Sequence, residues 1–228
     1  MLLALDTSTS MSGIALHDGQ RVLAEYIWQS RAHHTVELAP EIALMMQRND
    51  LKAESLSAVA VASGPGSYTG LRIGMALAKG LALAHKLPLI GIPTLDILAH
   101  AQPSQREPML ALLRAGRSRL AGVMYRWQRG LWRTKDKGAT FTWQELLDRL
   151  EEPLYICGEL TPAQRETLGE VPSVTLAPPA LCVRRPSLLA DMAWERVRAG
   201  KLTDAASVAP TYLGTLSPPT IRTGGKLG

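Results

Sequence analysis

The chain opens on an unbroken apolar run, residues 1–5, which predicts a strand buried on both faces. Residues 13–17 continue as a second strand. Asp18-Gly19 predicts a hairpin turn because both residues tolerate positive φ, and residues 21–28 alternate as a third strand. The apolar positions then change to helical spacing. Leu38, Ile42, Met45 and Met46 make one face of a helix over 36–48, with Val36, Ala39 and Ala43 beside it. Thr35 is the expected N-cap, Glu37 favours the first turn, and Pro40 should bend or tighten it. A strand at 58–62, a helix at 70–85, a strand at 88–92 and a short helix at 94–101 follow.

Residues 102–108 carry two prolines among polar residues and mark the best boundary between lobes. Beyond them, 109–113 and 120–127 read as strands about an Ala115-Gly116-Arg117 turn, with a further short strand at Leu131-Trp132. Thr142 and Glu145 have capping-box spacing and predict a helix over 142–150. A strand at 154–157 and helices at 162–168 and 187–198 complete the pattern. Residues 214–228, rich in Pro, Gly and Thr, are expected to be disordered.

The segment Ser63-Gly64-Pro65-Gly66-Ser67-Tyr68-Thr69-Gly70 carries the most information about chemistry. It joins a strand to a helix through glycines and small hydroxyls, so backbone N–H groups gather at a helix N-terminus where an anion or another backbone can come close. No Gly-Lys-Ser/Thr follows and the spacing is not Gly-x-Gly-x-x-Gly, so neither familiar nucleotide motif is present. A tight turn that needs glycine and an anion site fit the pattern equally. Asp6-Thr7-Ser8 ends the first strand and offers a carboxylate and two hydroxyls. The candidate phosphate-binding residues are therefore Asp6, Thr7, Ser8, Gly64, Gly66, Ser67 and Thr69. The alternative is that Asp6 accepts hydrogen bonds from its own turn.

The helix over 70–85 is apolar around most of its circumference, with Arg72 and Lys79 as its only charged stripe and Gly70, Gly74 and Ala78 as a small-residue strip. Burial within its own fold would satisfy it. Together with the preceding helix, however, it offers more apolar surface than one sheet face can cover, which points to a docking surface. Leu38, Ile42, Met45, Met46, Leu71, Gly74, Met75 and Ala78 are the candidate partner-binding residues.

Composition narrows the classes. With 228 residues, 46% apolar and 20% charged, the chain can bury a core of its own. The net charge of +5 and the basic segments 114–133 and 184–185 fit weak, sequence-independent contact with RNA as well as a solvated face. Cys157 and Cys182 match no metal or redox spacing and read as cytosolic thiols. The longest apolar stretch, 75–92, is interrupted by Lys79, His85, Lys86 and Pro88, so no membrane span is expected. The first strand leaves no room for a signal peptide, and a cytoplasmic location is expected. There is no Gly-x-Ser-x-Gly elbow, and no catalytic nucleophile is assigned.

The glycine segment, together with Leu3-Ala4-Leu5-Asp6-Thr7-Ser8-Thr9, resembles the TsaB family, accessory subunits of bacterial tRNA threonylcarbamoyladenosine synthesis and paralogues of the catalytic subunit TsaD. The resemblance extends to Pro210-Thr211-Tyr212-Leu213 and is densest over 1–100. It implies an α/β, two-lobed actin/hexokinase/Hsp70-like fold, with a ribonuclease-H-like lobe at 1–102 and a reduced second lobe at 108–213. It further implies a non-catalytic scaffold without a cofactor. Such a scaffold binds and activates TsaD in a heterodimer, helps recruit the ATPase TsaE, meets tRNA through the complex and forms a homodimer in isolation. The positions similar to the metal-binding histidines of TsaD hold Thr94 and Leu98, which are poor ligands for iron or zinc, so no metal is expected. The sequence departs from the family pattern at Gly214, where an Arg usually follows Tyr212-Leu213. Two rivals remain: an independent sugar-kinase-like phosphotransferase using Asp6 and the 64–70 loop, and a regulatory subunit that holds nucleotide without turnover. The kinase lacks a second Asp-Gly phosphate turn and an adenosine-binding Gly-Gly segment in the second lobe.

Overall fold

Strand β1, Leu2–Asp6, is buried at every residue, and the two faces of its sheet differ in bulk. On one face Leu3 and Leu5 join Ile14, Leu16, Val59, Val61 and Leu89. On the other, Leu2 and Ala4 join Ala15, Ala58, Ala60 and Ala62. The sheet consists of β1, β2 (Met11–His17), β3 (Val22–Gln29), β4 (Ala58–Ala62) and β5 (Leu89–Ile92). Its order is β3-β2-β1-β4-β5, with the first three antiparallel and β1, β4 and β5 parallel. This is the order of the ribonuclease-H-like lobe that the resemblance implies. In the β2–β3 turn only Gly19 has positive φ; Asp18 instead accepts the Gln20 and Arg21 amides on its carboxylate.

The computed structural model describes residues 1–30, 34–116, 118–134, 136–202 and 204–214, and of His34 and Thr35 only the backbone. The expected disorder of the tail lies outside the described residues, apart from Gly214. Helices α1 (His34–Arg48) and α2 (Tyr68–His85) cover the bulky face of the sheet. Thr35 lies inside α1 and so is not its N-cap, whereas α2 starts two residues earlier than expected, capped by Ser67 accepting the Gly70 amide. Helix α3 is Thr94–His100.

The chain divides into two compact units, Met1–Ile97 with Arg185–Tyr212, and Leu98–Arg184 with the stretch from Leu213. The expected contiguous second lobe, 108–213, thus differs from the observed grouping. Its last helix, Pro186–Arg198, packs Leu189, Ala190 and Ala193 against the alanine face of the first sheet. That face would otherwise be bare apolar surface, and small residues on both sides let the helix approach closely. Glu25 on β3 fastens the start of this helix, bonding the Arg185 guanidinium and accepting from the Ser187 amide at 2.9 Å.

In the second unit, β6 (Met109–Ala115) and β7 (Arg119–Gln128) form an antiparallel pair that β8 (Leu131–Arg133) extends. Strand β9 (Ala139–Thr142) pairs with β7, while β10 (Leu154–Gly158) runs parallel to β6 and to β11 (Val174–Leu176). The sequence pattern did not indicate β9 or β11. Helices α4 (Trp143–Leu147) and α5 (Pro162–Gly169) both start with capping boxes, and the helix just described in the first unit is α6. Phe141, Leu110, Leu112, Leu154, Ile156 and Leu168 lie in the core of this unit.

Candidate functional site

The glycine turn folds directly onto the end of β1. Ser8 carbonyl accepts the Ser67 amide at 2.6 Å, and Thr7 Oγ1 donates to the Gly70 carbonyl at 2.7 Å. A Cβ placed on Gly66 or Gly70 would fall inside 3.0 Å of the Ser8 or Thr7 carbonyl oxygen. The glycines are required because two backbones touch there. Gly64, with φ of +108° and a cis bond to Pro65, donates its amide to Thr94 Oγ1 at 3.0 Å, and Thr94 Oγ1 lies 2.9 Å from Ser8 Oγ. Asp6 Oδ1 accepts the Ser8 amide at 2.8 Å.

The sequence places these candidate phosphate residues together, and the structure brings them into one cluster. Asp6, Thr7, Ser8 and Gly64 are buried, Gly66 and Ser67 are half-buried, and only Thr69 is exposed. Asp6, Thr7, Ser8 and the Gly64 and Ser67 amides are engaged in bonds within the cluster. Thr94, at 0% exposure, belongs to the same hydrogen-bonded cluster, and Leu98 is buried at 1%. The turn is closed further by a segment that sequence reasoning missed. Thr211 donates its amide to the Ser63 carbonyl, Lys79 reaches the Ala206 carbonyl at 3.2 Å, and Ala205 and Val208 enter the core. Tyr212 lies beside Tyr68 with the rings tilted and their centroids 5.6 Å apart, while Arg72 lies 3.8 Å over the Tyr68 ring. The Tyr212 hydroxyl, by hydrogen bonding, raises the pKa of Arg72.

The partner-binding candidates need correction. Leu38, Ile42, Met45, Met46, Leu71, Gly74, Met75 and Ala78 are all buried within this chain. All but Leu71 and Gly74 join Leu3, Leu5, Ile14, Val59 and Val61 in one core, while Gly74 faces Thr7 and Leu71 lies beside Gly64. The regular apolar stripe of each helix is its inner face, and a stripe alone does not say which neighbour covers it. The outward faces carry different residues. Val36, Ala39, Ala43 and Leu44 are exposed on α1, as are Tyr68, Ala76 and Leu83 on α2, with Ile73, Leu77 and Leu81 half-buried between. A groove of about 490 Å³ runs between the helices, lined by Leu38, Ala39, Tyr68, Thr69, Arg72, Ile73, Ala76 and Leu77. Its lining is almost wholly aliphatic and aromatic, with Arg72 and Thr69 at the end beside the glycine turn.

The two thiols lie closer than their sequence separation suggests. Cys182 Sγ accepts the Gly158 amide at 3.5 Å, next to Cys157, and Arg165 Nη1 lies 3.8 Å from it. Burial, with a smaller contribution from Cys182, pushes the Cys157 thiol well above its ordinary pKa. Burial likewise raises Tyr155, whose hydroxyl donates to Gln102 Oε1 at 3.0 Å, to about 12. Among the described residues no cluster of His, Cys, Asp and Glu is arranged to hold a metal, and no helix is long and apolar enough to cross a membrane.

The family model for TsaD, tRNA N6-adenosine threonylcarbamoyltransferase, matches residues 21–139. The tRNA threonylcarbamoyladenosine biosynthesis protein TsaB of Bacillus subtilis is 31% identical over 218 residues, which cover 93% of both chains. The Escherichia coli protein of the same name is 29% identical over 154 residues, 66% of each chain. The solved structure of YeaZ from Pseudomonas aeruginosa superposes with a TM-score of 0.73 at 25% identity, over 93% of this chain and 99% of that one.

Proposed function

This chain belongs to the TsaB family, and on that premise we propose that it acts as a non-catalytic subunit that docks a TsaD-type transferase through the outward faces of α1 and α2. It has the actin/hexokinase/Hsp70-like α/β fold and takes part in tRNA threonylcarbamoyladenosine biosynthesis. The observation that carries the docking proposal is the apolar groove between the two helices, which also expose Val36, Leu44 and Leu83. Exposed apolar surface gathered on two adjacent helices favours burial against another helical face. The match to the TsaD family model supports a paralogous partner with a similar helix pair. In this reading the chain stabilises the transferase, helps recruit the ATPase TsaE, and pairs with a second copy of itself when the partner is absent.

The engaged hydroxyls and amides around Asp6–Thr9 weigh against an independent phosphotransferase, which needs those donors for its nucleotide. The test is size-exclusion chromatography of the chain with TsaD from the same cell. Leu83→Glu and Ala76→Glu should keep the wild-type melting temperature and lose co-elution. A carboxylate buried in an apolar interface costs several kcal/mol, or orders of magnitude in affinity. Co-elution at wild-type affinity by both variants removes this surface from the interface.

A further inference from the structure

We propose that the β7–β8 hairpin of the second unit is an RNA-contacting element, with arginines for phosphates and an exposed tryptophan for an unpaired base. The proposal rests on the family's role in modifying tRNA, and it adds a surface to which that role assigns nothing.

The hairpin extends past the body of its sheet, and Arg126, Trp127, Gln128, Arg129, Gly130 and Leu131 are all exposed. Its strands pair Arg126 with Arg133, Trp127 with Trp132 and Gln128 with Leu131. Like charges directly opposite on a strand pair oppose its stability. At the tip, Arg129 has φ of +52° and Gly130 +80°, the two-residue turn that ordinarily takes Asn-Gly. An arginine in the left-handed region is a poor choice for the turn. Leu131 and Trp127 are 46% and 38% exposed. Apart from the tryptophan pairing, these choices work against the hairpin as a structural part.

The tryptophans hold it together. Their rings meet edge to face with centroids 5.4 Å apart, and Trp132 Nε1 donates to the Gln102 carbonyl at 3.2 Å. Trp132 is thereby anchored and Trp127 is presented outward. The result is a projecting hairpin with the exposed residues Arg129 at its tip and Arg133 on its side, next to an accessible indole. Guanidinium groups pair with phosphates in fork geometry, and indoles stack on bases of any sequence. An acidic peptide would use the arginines but has no need of the indole, so the combination favours RNA with an unpaired base, which a tRNA supplies in its loops.

The test is fluorescence anisotropy of the full chain with three probes: an unmodified tRNA transcript, a blunt RNA duplex and polyglutamate. Wild type should bind the tRNA in a salt-dependent way. The Arg129→Gln/Arg133→Gln double variant should weaken both RNAs and flatten the slope of log K against log salt by about 2. Trp127→Ala should weaken tRNA about tenfold and the duplex by clearly less, while Trp127→Phe keeps most of the tRNA affinity. Arg129→Gly should raise the melting temperature while lowering RNA affinity, a pairing that a purely structural role does not produce. Wild-type RNA affinity in the double variant overturns the proposal, as does polyglutamate binding that exceeds RNA binding and is lost in the same variants. These curves need no transferase, so their failure leaves the co-elution result standing, and the reverse holds as well.

Discussion

Replacing Gly70 by Ala tests whether the glycine turn is a packed contact or an open cradle. The new methyl would sit inside 3.0 Å of the Thr7 carbonyl oxygen, where ordinary contact begins near 3.4 Å. Thr7 has little room to move, because a Cβ at Gly74 would equally collide with its Oγ1, so both glycines pin it. Relief requires the turn to lift, which breaks the buried Thr7 Oγ1–Gly70 bond of 2.7 Å. An unsatisfied buried hydroxyl costs about 1–3 kcal/mol, and displacing packed backbone adds roughly 1–3 kcal/mol. Helix propensity returns up to about 1 kcal/mol. The net loss is about 1–5 kcal/mol, a fall in Tm of roughly 2–20 °C for a chain of this length. Gly80 supplies the control. It lies in the same helix with nothing within 4 Å of its would-be Cβ, so Gly80→Ala should stabilise by about 0.5–1 kcal/mol. The assay is thermal melting of both variants, with and without ATP. Equal melting temperatures would refute the packed-contact argument. A Gly70→Ala chain of normal stability that loses an ATP-induced shift would restore the nucleotide reading.

Ile42→Glu places a carboxylate on the inner face of α1, against the first sheet, and should cost about 3–5 kcal/mol in urea unfolding. Wild-type stability would return that face to the surface. Burial works against the Glu25 carboxylate, but the hydrogen bonds from Arg185 and Ser187 outweigh it and hold its pKa below 4.5. Its contribution is therefore present above pH 4.5 and lost as the pH falls through the folded value. Glu25→Gln should cost about 1–2 kcal/mol at neutral pH, with the difference from wild type closing below that range in pH-resolved denaturation. A bulky thiol reagent should label Cys182 in the native protein and leave Cys157 protected until it unfolds, since Cys157 is fully buried with a raised pKa. Equal labelling rates, followed by mass spectrometry, would contradict this.

Local order was legible where one element explained its own pattern. The β1 run, the 58–62 strand, the capping box at Thr142 and the glycine turn all follow from near neighbours in sequence. Assignments that depend on a distant partner were not. Leu38, Ile42, Met45 and Met46 repeat at helical spacing whether they meet a sheet of the same chain or a helix of another. Periodicity measures amphipathicity, not the identity of the cover. Strand β11 has only three residues and takes its definition from β10, as β9 does from β7.

One signal in the sequence did bear on the distant packing. The run Ala58-Val59-Ala60-Val61-Ala62 alternates in size, so one face of this strand carries only alanines, and Ala4 and Ala15 extend that face across its neighbours. A buried alanine face cannot fill space by itself and requires a close-approaching element with small residues of its own. The described helix that satisfies this is α6, with Ala190 and Ala193 turned inward, although it lies more than a hundred residues away. The same logic explains the loss of anion-site character in the glycine turn. A phosphate-binding turn must keep its amides free, whereas here the Ser67 and Gly64 amides bond Ser8 and Thr94, and residues 204–212 close over what remains. The glycines are explained by contact between backbones, so their presence in the sequence is not evidence for a nucleotide. The glycine turn is therefore not where a nucleotide should be sought, and the docking proposal turns instead on the outward faces of α1 and α2.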